Sequence, residues 1–325
     1  MDIAILLGLQ DFRNGSGAFL AEFMKKATFF GELNTTMVIF AILFWCIHKE
    51  LGSFLMMGWG MNRLVNGTLK ITACAYRPWI RDPRIVPYGD SMTTATGYSF
   101  PSGHTMNAAT LFGGIAVKKD FPWALRITSL VAVLLVGFSR LFLGVHTPQD
   151  VLIGTIAGIL VMWLTGKMMQ WIDAHPGKDW VVVCIGIVLS VLLAIYAALK
   201  RYPEDYDAAG KLIVDGAKMA NDTFKGIGWA MGFLVGWILE RRFVGFTTEE
   251  ISLPTRLMRC VTGLIGFYLV SLILVSLIKN WLPGPAGSVI SCFIQMLFIS
   301  FLFPWLFTYF EKRGSMKAAS IQSSK

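Results

Sequence analysis

The sequence predicts an all-α, polytopic membrane protein with about nine transmembrane helices, and three observations carry that reading. Apolar residues make up 55% of the chain and charged residues only 15%, where a soluble domain holds about 25% charged. The mean hydropathy is +0.59. Windows such as 181–199, 260–278 and 289–307 approach the ~20 apolar residues that a bilayer-spanning helix requires.

Taken in order, residues 2–12 set Ile3, Leu6 and Leu7 at helical spacing before Asn14-Gly15-Ser16-Gly17 breaks the segment. That stretch is too short to span and reads as an interfacial amphipathic helix. Phe19, Leu20, Phe23 and Met24 continue the pattern, so 1–28 forms an interfacial N-terminal segment. The chain opens Met-Asp without a basic n-region, and no cleaved leader is expected. The expected spans are 29–47, 51–69, 103–117, 123–141, 149–168, 180–199, 226–239, 260–278 and 287–307.

The second span is the weakest by hydropathy because it holds Asn62, Arg63 and Asn66. Asn62, Asn66 and Lys70 recur every four residues and share one helix face. For Arg63 two readings stay open: an inward, functional cation, or a structural one that snorkels or pairs. The polar stretch 200–225 is expected to be a solvated loop with a short interfacial helix, a lid being the alternative. Gly154 and Gly158 form a Gly-x-x-x-Gly pattern that favours packing within the chain over a dimer face. The oligomeric state stays open.

A net charge of +9 fits basic flanks near lipid headgroups and an anionic substrate, and no aromatic-basic interleaving points to nucleic acid. Five scattered cysteines support neither a disulfide framework nor a zinc site.

Three clusters carry chemistry: Lys70 with Arg77-Pro78; Pro101-Ser102-Gly103-His104; and Ser139-Arg140 with His146 and Asp150. Each falls where an even-numbered span ends or the next begins. Because successive helices alternate direction, all three reach the same membrane face. Lys70, Arg77 and Arg140 offer three positive charges to a phosphate, arginine through its planar fork and lysine as a point charge. Ser102 and Gly103 stand at a helix start, where free backbone N–H groups favour anions and glycine permits close approach. One imidazole can attack phosphorus while a second, protonated, serves the leaving alkoxide. Asp150, four residues after His146, lies within reach of that ring to fix its tautomer. His48 and His175 have no such company and are expected at the interface.

The three clusters resemble the signature of the type-2 phosphatidic acid phosphatase superfamily, at that family's spacings and over residues 29–170. The resemblance implies a helical core and no metal cofactor. It assigns His146 as nucleophile, His104 as general acid and then base, Asp150 as the group orienting His146, and Lys70, Arg77, Ser102, Gly103 and Arg140 as phosphate ligands. The catalytic core is then 29–172, with the phosphatase chemistry in the first five spans, and 173–325 is a C-terminal transmembrane bundle. The layout of that bundle is similar to the sphingosine-phosphate-phosphatase-like branch, and the total span number to glucose-6-phosphatase. The expected activity is hydrolysis of a lipid phosphate monoester (phosphatidate, a sphingoid-base phosphate, or an isoprenoid phosphate or diphosphate). A phosphotransferase using the same intermediate and a non-catalytic lipid-binding or transport protein are the alternatives.

Lys and Arg divide evenly between the two sides on this assignment, so the positive-inside rule does not orient the chain. The short basic turn at Lys118-Lys119 and the family resemblance place the site on the non-cytoplasmic face, in a cell (inner) membrane.

Overall fold

A computed structural model describes residues 2–323, with side chains through Arg313. The described residues are helices joined by loops. In chain order they are α1 (Asp2–Gly15), α2 (Ala18–Ala27), α3 (Leu33–Ile42), α4 (Lys49–Ala73), α5 (Pro78–Arg81), α6 (Gly103–Ala108), α7 (Gly114–Val117), α8 (Trp123–Phe142), α9 (Pro148–Ala174), α10 (Asp179–Leu199), α11 (Gly216–Phe243), α12 (Leu253–Leu269), α13 (Val275–Trp281), α14 (Pro285–Leu297) and α15 (Phe303–Ser323).

Helix α4 is the axle of the bundle. Gly52 lies against the backbone of Phe44, Gly58 against Met162 of α9, and Gly60 against Ala230 of α11. With neighbours on so many sides α4 meets little lipid, which is why it tolerates the Asn62 and Asn66 that weaken its hydropathy. Both are buried: Asn62 Nδ2 donates to Thr110 Oγ1 at 2.6 Å, and Asn66 Nδ2 to Met106 Sδ at 3.2 Å.

The peripheral helices show the opposite pattern. Leu130, Val131 and Leu134 of α8, Ile185, Val188 and Leu192 of α10, and Val261, Ile265 and Leu269 of α12 are exposed. Such apolar faces belong in hydrocarbon, whose tails are as apolar as the side chains.

Among the described residues, five helices are long and apolar enough to cross a membrane, over 123–142, 148–174, 179–199, 253–281 and 285–313. A sixth candidate is the pair Ala18–Gly31 and Leu33–Ile47, bent by 55°. The chain is an integral membrane protein. The expected spans at 51–69, 103–117 and 226–239 are helical but do not meet the same length and hydropathy test. The reason is physical for α4 and α11, which are lined by protein rather than lipid and are not required to be apolar all round.

Helix α11 also begins earlier than the sequence suggests. Asp215 Oδ1 accepts from the Lys218 N–H at 3.1 Å and caps it, so the helix expected within 200–225 is the first part of α11 rather than a separate short one. Gly228 and Gly232 then bring α11 against α14. A Cβ on Gly228 would stand 2.3 Å from Val289 O, and one on Gly232 at 2.3 Å from Phe293 O. Gly154 and Gly158 serve α9 in the same way, meeting Ser102 O and Ala109 Cβ within the chain.

At the end of the bundle away from Lys70, Glu240 is fully buried and accepts from Lys49 Nζ at 2.7 Å and the Phe246 N–H at 3.1 Å. Arg259 is held by Glu311 and by the carbonyls of Trp45 and Thr247.

The α11–α14 contact generates a prediction. Gly232→Val forces a side chain into the α14 backbone and should destabilise the protein by about 1–3 kcal/mol. Thermal unfolding in detergent should show a lower midpoint; an unchanged midpoint would contradict this close packing.

Candidate active site

Helix α4 ends when Cys74 takes a left-handed conformation (φ 46°) whose N–H bonds back to Lys70 O. The chain then enters a short turn that presents Arg77. The guanidinium is buried and almost fully committed. Its Nε donates to Gly97 O at 3.0 Å, Nη2 to Thr96 O at 3.0 Å, and Nη1 to Val145 O at 2.9 Å and to His146 Nε2 at 2.9 Å. Burial lowers its pKa to about 10, which leaves it charged at neutral pH. Lys70 Nζ donates to Tyr98 O at 2.9 Å, gripping the same loop.

His146 lies in the turn between α8 and α9. Arg77 Nη1 lies 2.9 Å from Nε2 and 3.4 Å from Nδ1, and the Asp150 carboxylate, which can only accept, favours the ring proton on Nδ1 and leaves Nε2 as the acceptor. Nδ1 lies 3.4 Å from Asp150 Oδ2, with Ser99 Oγ at 3.5 Å. Burial and then the Arg77 charge hold the imidazole well below the ordinary histidine value of 6.5; the Asp150 carboxylate pulls upward but does not prevail.

Asp150 is fixed by more than its histidine. Its Oδ2 accepts from the Thr147 N–H at 2.7 Å and from Ser99 Oγ at 2.5 Å, while Thr147 Oγ1 accepts from the Asp150 N–H at 3.3 Å. This reciprocal cap opens α9 with Pro148 in its first turn. The Ser102 N–H donates to Asp150 O at 3.0 Å and ties the second cluster to the third.

Ser102 caps α6: its hydroxyl accepts from the Thr105 N–H at 3.3 Å and from Thr105 Oγ1 at 2.8 Å, and the residue is fully buried. Gly103 and His104 follow, and His104 Nε2 is buried with no hydrogen-bond partner among the described residues.

These segments enclose a cavity of about 370 Å³. Lys70, Arg77, Gly103, His104 and His146 line it, so the structure brings five of the eight expected site residues onto one wall. Asp150 and Ser102 stand behind that wall. Arg140 lines an adjoining cavity of about 490 Å³ instead, with Glu32 and Thr94 shared between the two. Its Nη1 donates to Thr28 Oγ1 at 2.7 Å, while Nε and Nη2 are buried without partners among the described residues.

The three sequence clusters do not account for the facing wall. Met219, Asp222, Thr223, Lys225 and Trp229 of α11 line the cavity, joined by Arg63, Asn66 and Asn107. A signal existed: Met219, Asp222, Thr223 and Gly226 recur at helical spacing, and polar residues inside a membrane helix face protein or water. Ser99 also lies outside the clusters, a lone serine three residues before Ser102.

Residues 51–174 match the family model described as PAP2 superfamily, and 224–315 match that of the PAP2 superfamily phosphatase, transmembrane extension. The chain carries a PAP2 domain. It holds all three clusters, and the PAP2 extension begins on α11, inside the cavity's facing wall.

Among curated proteins, the chain is 35% identical over 121 residues to phosphatidylglycerophosphatase B of Bacillus subtilis (strain 168), covering 35% of this chain and 55% of that protein. It is 34% identical over 70 residues to the undecaprenyl-diphosphatase of Sulfolobus acidocaldarius, covering 22% of this chain and 33% of that protein. The chain thus spans about half or less of the length of these two relatives. A solved structure, the transmembrane PAP2 type phosphatidylglycerolphosphate phosphatase from Bacillus subtilis, matches with 28% identity and a TM-score of 0.44, covering 54% of this chain and 87% of that one.

The Asp150 network generates a second prediction. Asp150→Ala removes the acceptor shared by Ser99, Thr147 and His146 from a buried position, and should cost about 2–4 kcal/mol. Thermal unfolding should show a clear loss for alanine and a smaller one for Asp150→Asn, which retains an acceptor oxygen. Equal midpoints for wild type and the alanine variant would contradict the network.

Proposed function

We propose that this protein is a metal-independent membrane phosphatase that hydrolyses a lipid phosphate monoester through a phosphohistidine on His146. The observation that carries the reading is His146 itself: the residue lines the cavity beside Arg77 and His104, and its Nδ1 is on the side of Asp150, which leaves Nε2 as the unprotonated nitrogen.

In the first step Nε2 attacks phosphorus and the bond to the lipid oxygen breaks. His104, protonated beside the substrate's negative charge, gives its proton to that oxygen as the alcohol departs. Asp150 stabilises the positive charge that develops on the His146 ring. In the second step His104, now neutral, takes a proton from water; the water oxygen bonds to phosphorus, the N–P bond breaks, and inorganic phosphate leaves.

Lys70, Arg77 and Arg140 offset the charge on the phosphoryl oxygens through both steps. Arg140 has two donor nitrogens uncommitted, which suits a ligand at the junction of the two cavities. Ser102 acts from behind, its cap fixing the backbone of Gly103 and His104 at the cavity wall.

A lipid substrate is supported by the cavity's place at the end of α4 and the starts of α6 and α9 in a membrane protein, and by the phosphorylated lipids that the relatives' names specify. Within this reading 29–172 is the catalytic core, with α11 supplying its opposite wall. The site lies on the non-cytoplasmic face of the cell membrane.

Two outcomes follow. With EDTA present, purified protein should release phosphate from a panel of phosphatidate, sphingosine phosphate and an isoprenoid diphosphate, and His146→Ala should lose at least about a thousandfold. Equal release by the variant would overturn the assignment.

The pH dependence follows from the His146 environment. The imidazole must be neutral to attack, and its pKa is held below 6.5, so activity is lost only as pH falls past that depressed value. The acid limb of kcat/KM should therefore lie below pH 6.5. An acid limb above the ordinary histidine value would contradict the Arg77–His146 arrangement.

A further inference from the structure

Ser99 belongs to none of the three clusters, yet it touches both groups behind the attacking nitrogen. The residue is 1% exposed. Its Oγ donates to Asp150 Oδ2 at 2.5 Å and lies 3.5 Å from His146 Nδ1. The same carboxylate oxygen accepts from the Thr147 N–H at 2.7 Å, while His146 Nδ1 stands farther off at 3.4 Å. Among the described residues three donors thus converge on one oxygen, and the ring makes the longest contact of the three.

The segment that carries Ser99 is gripped at each residue. Arg77 takes the carbonyls of Thr96 and Gly97, and Lys70 takes that of Tyr98. The Ser99 N–H donates to Ala75 O at 2.7 Å, two residues before Arg77. The turn that presents the cations therefore also fixes where the serine hydroxyl points.

The charged and titratable groups around the His146 ring are Arg77 past the end of α4, His104 on α6, Arg140 on α8 and Asp150 on α9. Across the cavity stand Glu32, Arg63, Lys70 and the Asp222–Lys225 pair. Asp150 is the carboxylate in contact with the ring, and it pulls toward the protonated form. A carboxylate oxygen that already accepts two short bonds has its charge dispersed toward those donors and pulls less strongly on a third.

We propose that Ser99 is a positioning residue for the nucleophile: by occupying Asp150 Oδ2 it holds the carboxylate in line with the His146 ring and keeps that imidazole neutral until phosphorus is attacked. This rests on the phosphohistidine reading. When the N–P bond forms, the ring gains a positive charge, and the bond from Nδ1 to Oδ2 becomes charge-assisted and strengthens. The Asp150 interaction is then stronger in the charged state than in the resting one, which is the difference that accelerates a reaction.

The test uses the full chain in detergent with whichever of phosphatidate, sphingosine phosphate and an isoprenoid diphosphate it cleaves fastest. Wild type is compared with Ser99→Ala and Ser99→Thr across pH, with unfolding midpoints measured alongside. In the alanine variant Asp150 loses a donor and pulls harder on the ring proton. The acid limb of kcat/KM should therefore move to higher pH, by about half a unit or more. At the plateau kcat should fall at least about tenfold as the ring loses its alignment, with KM little changed. The threonine variant keeps the hydroxyl and should hold the acid limb at the wild-type position.

The position of the limb does not depend on the fraction of active protein, so partial unfolding leaves the test intact. An acid limb unmoved in Ser99→Ala would overturn the proposal whatever happens to kcat, because loss of packing alone lowers the rate evenly at every pH. A limb displaced equally in both variants, with the threonine midpoint at the wild-type value, would overturn it as well. The underlying reading fails separately: phosphate release that survives His146→Ala, or no release from any of the three substrates by wild type, would remove it and this proposal with it.

Discussion

One buried guanidinium joins segments that lie far apart in the sequence. Arg77 reaches the carbonyls of Thr96 and Gly97, which lead into α6, and the Val145 carbonyl with the His146 ring, which lead into α9. It sits itself just past α4. The end of α4 and the starts of α6 and α9 are thereby tied together, and the geometry of the cavity follows from that tie. A lysine there would supply charge without the fork: a point charge cannot address three carbonyls and a ring nitrogen in fixed directions. The same guanidinium lies against the His146 ring, so the contact that closes the fold also sets the charge around that imidazole.

That arrangement concentrates positive charge in a poorly solvated place. Arg77 and Arg140 are buried; Arg77 borders a cavity that also receives Lys70 and Arg63, and Arg140 borders the cavity that adjoins it. Backbone carbonyls satisfy part of their hydrogen-bonding capacity, but carbonyl dipoles do not neutralise a net charge. A phosphate carrying close to two negative charges does. The polar machinery sits on α4, α6 and α11, which are shielded from lipid, while α8, α10 and α12 present apolar faces outward. Division of labour between inner and outer helices lets one bundle hold both a charged cavity and a hydrocarbon-facing surface.

Much of this was legible in the sequence because it rests on local rules. Helical parity alone predicts that Lys70, Arg77, His104, His146 and Asp150 meet at one face, and Thr147-Pro148 announces the start of α9 two residues after Val145. The facing wall was hidden because hydropathy reports exposure to lipid. Helix α11 is screened by α4, α10 and α14, so its charged first turns resemble a loop in sequence. Ser99 was hidden for another reason: its bond to Asp150 spans fifty-one positions and leaves no periodic trace. Arg140 shows the limit of motif spacing, since the sequence places it beside the other cations but not in which of two adjoining cavities its side chain opens.

The most direct test of the phosphohistidine mechanism is to stop turnover rapidly, with phosphatidate labelled in its phosphate as substrate, and to map any covalent phosphate on the protein. The mechanism predicts a phosphoryl group on His146, labile to acid and stable to alkali, that forms and decays at rates compatible with turnover. Sustained phosphate release with no such adduct, or an adduct confined to another residue, would contradict it.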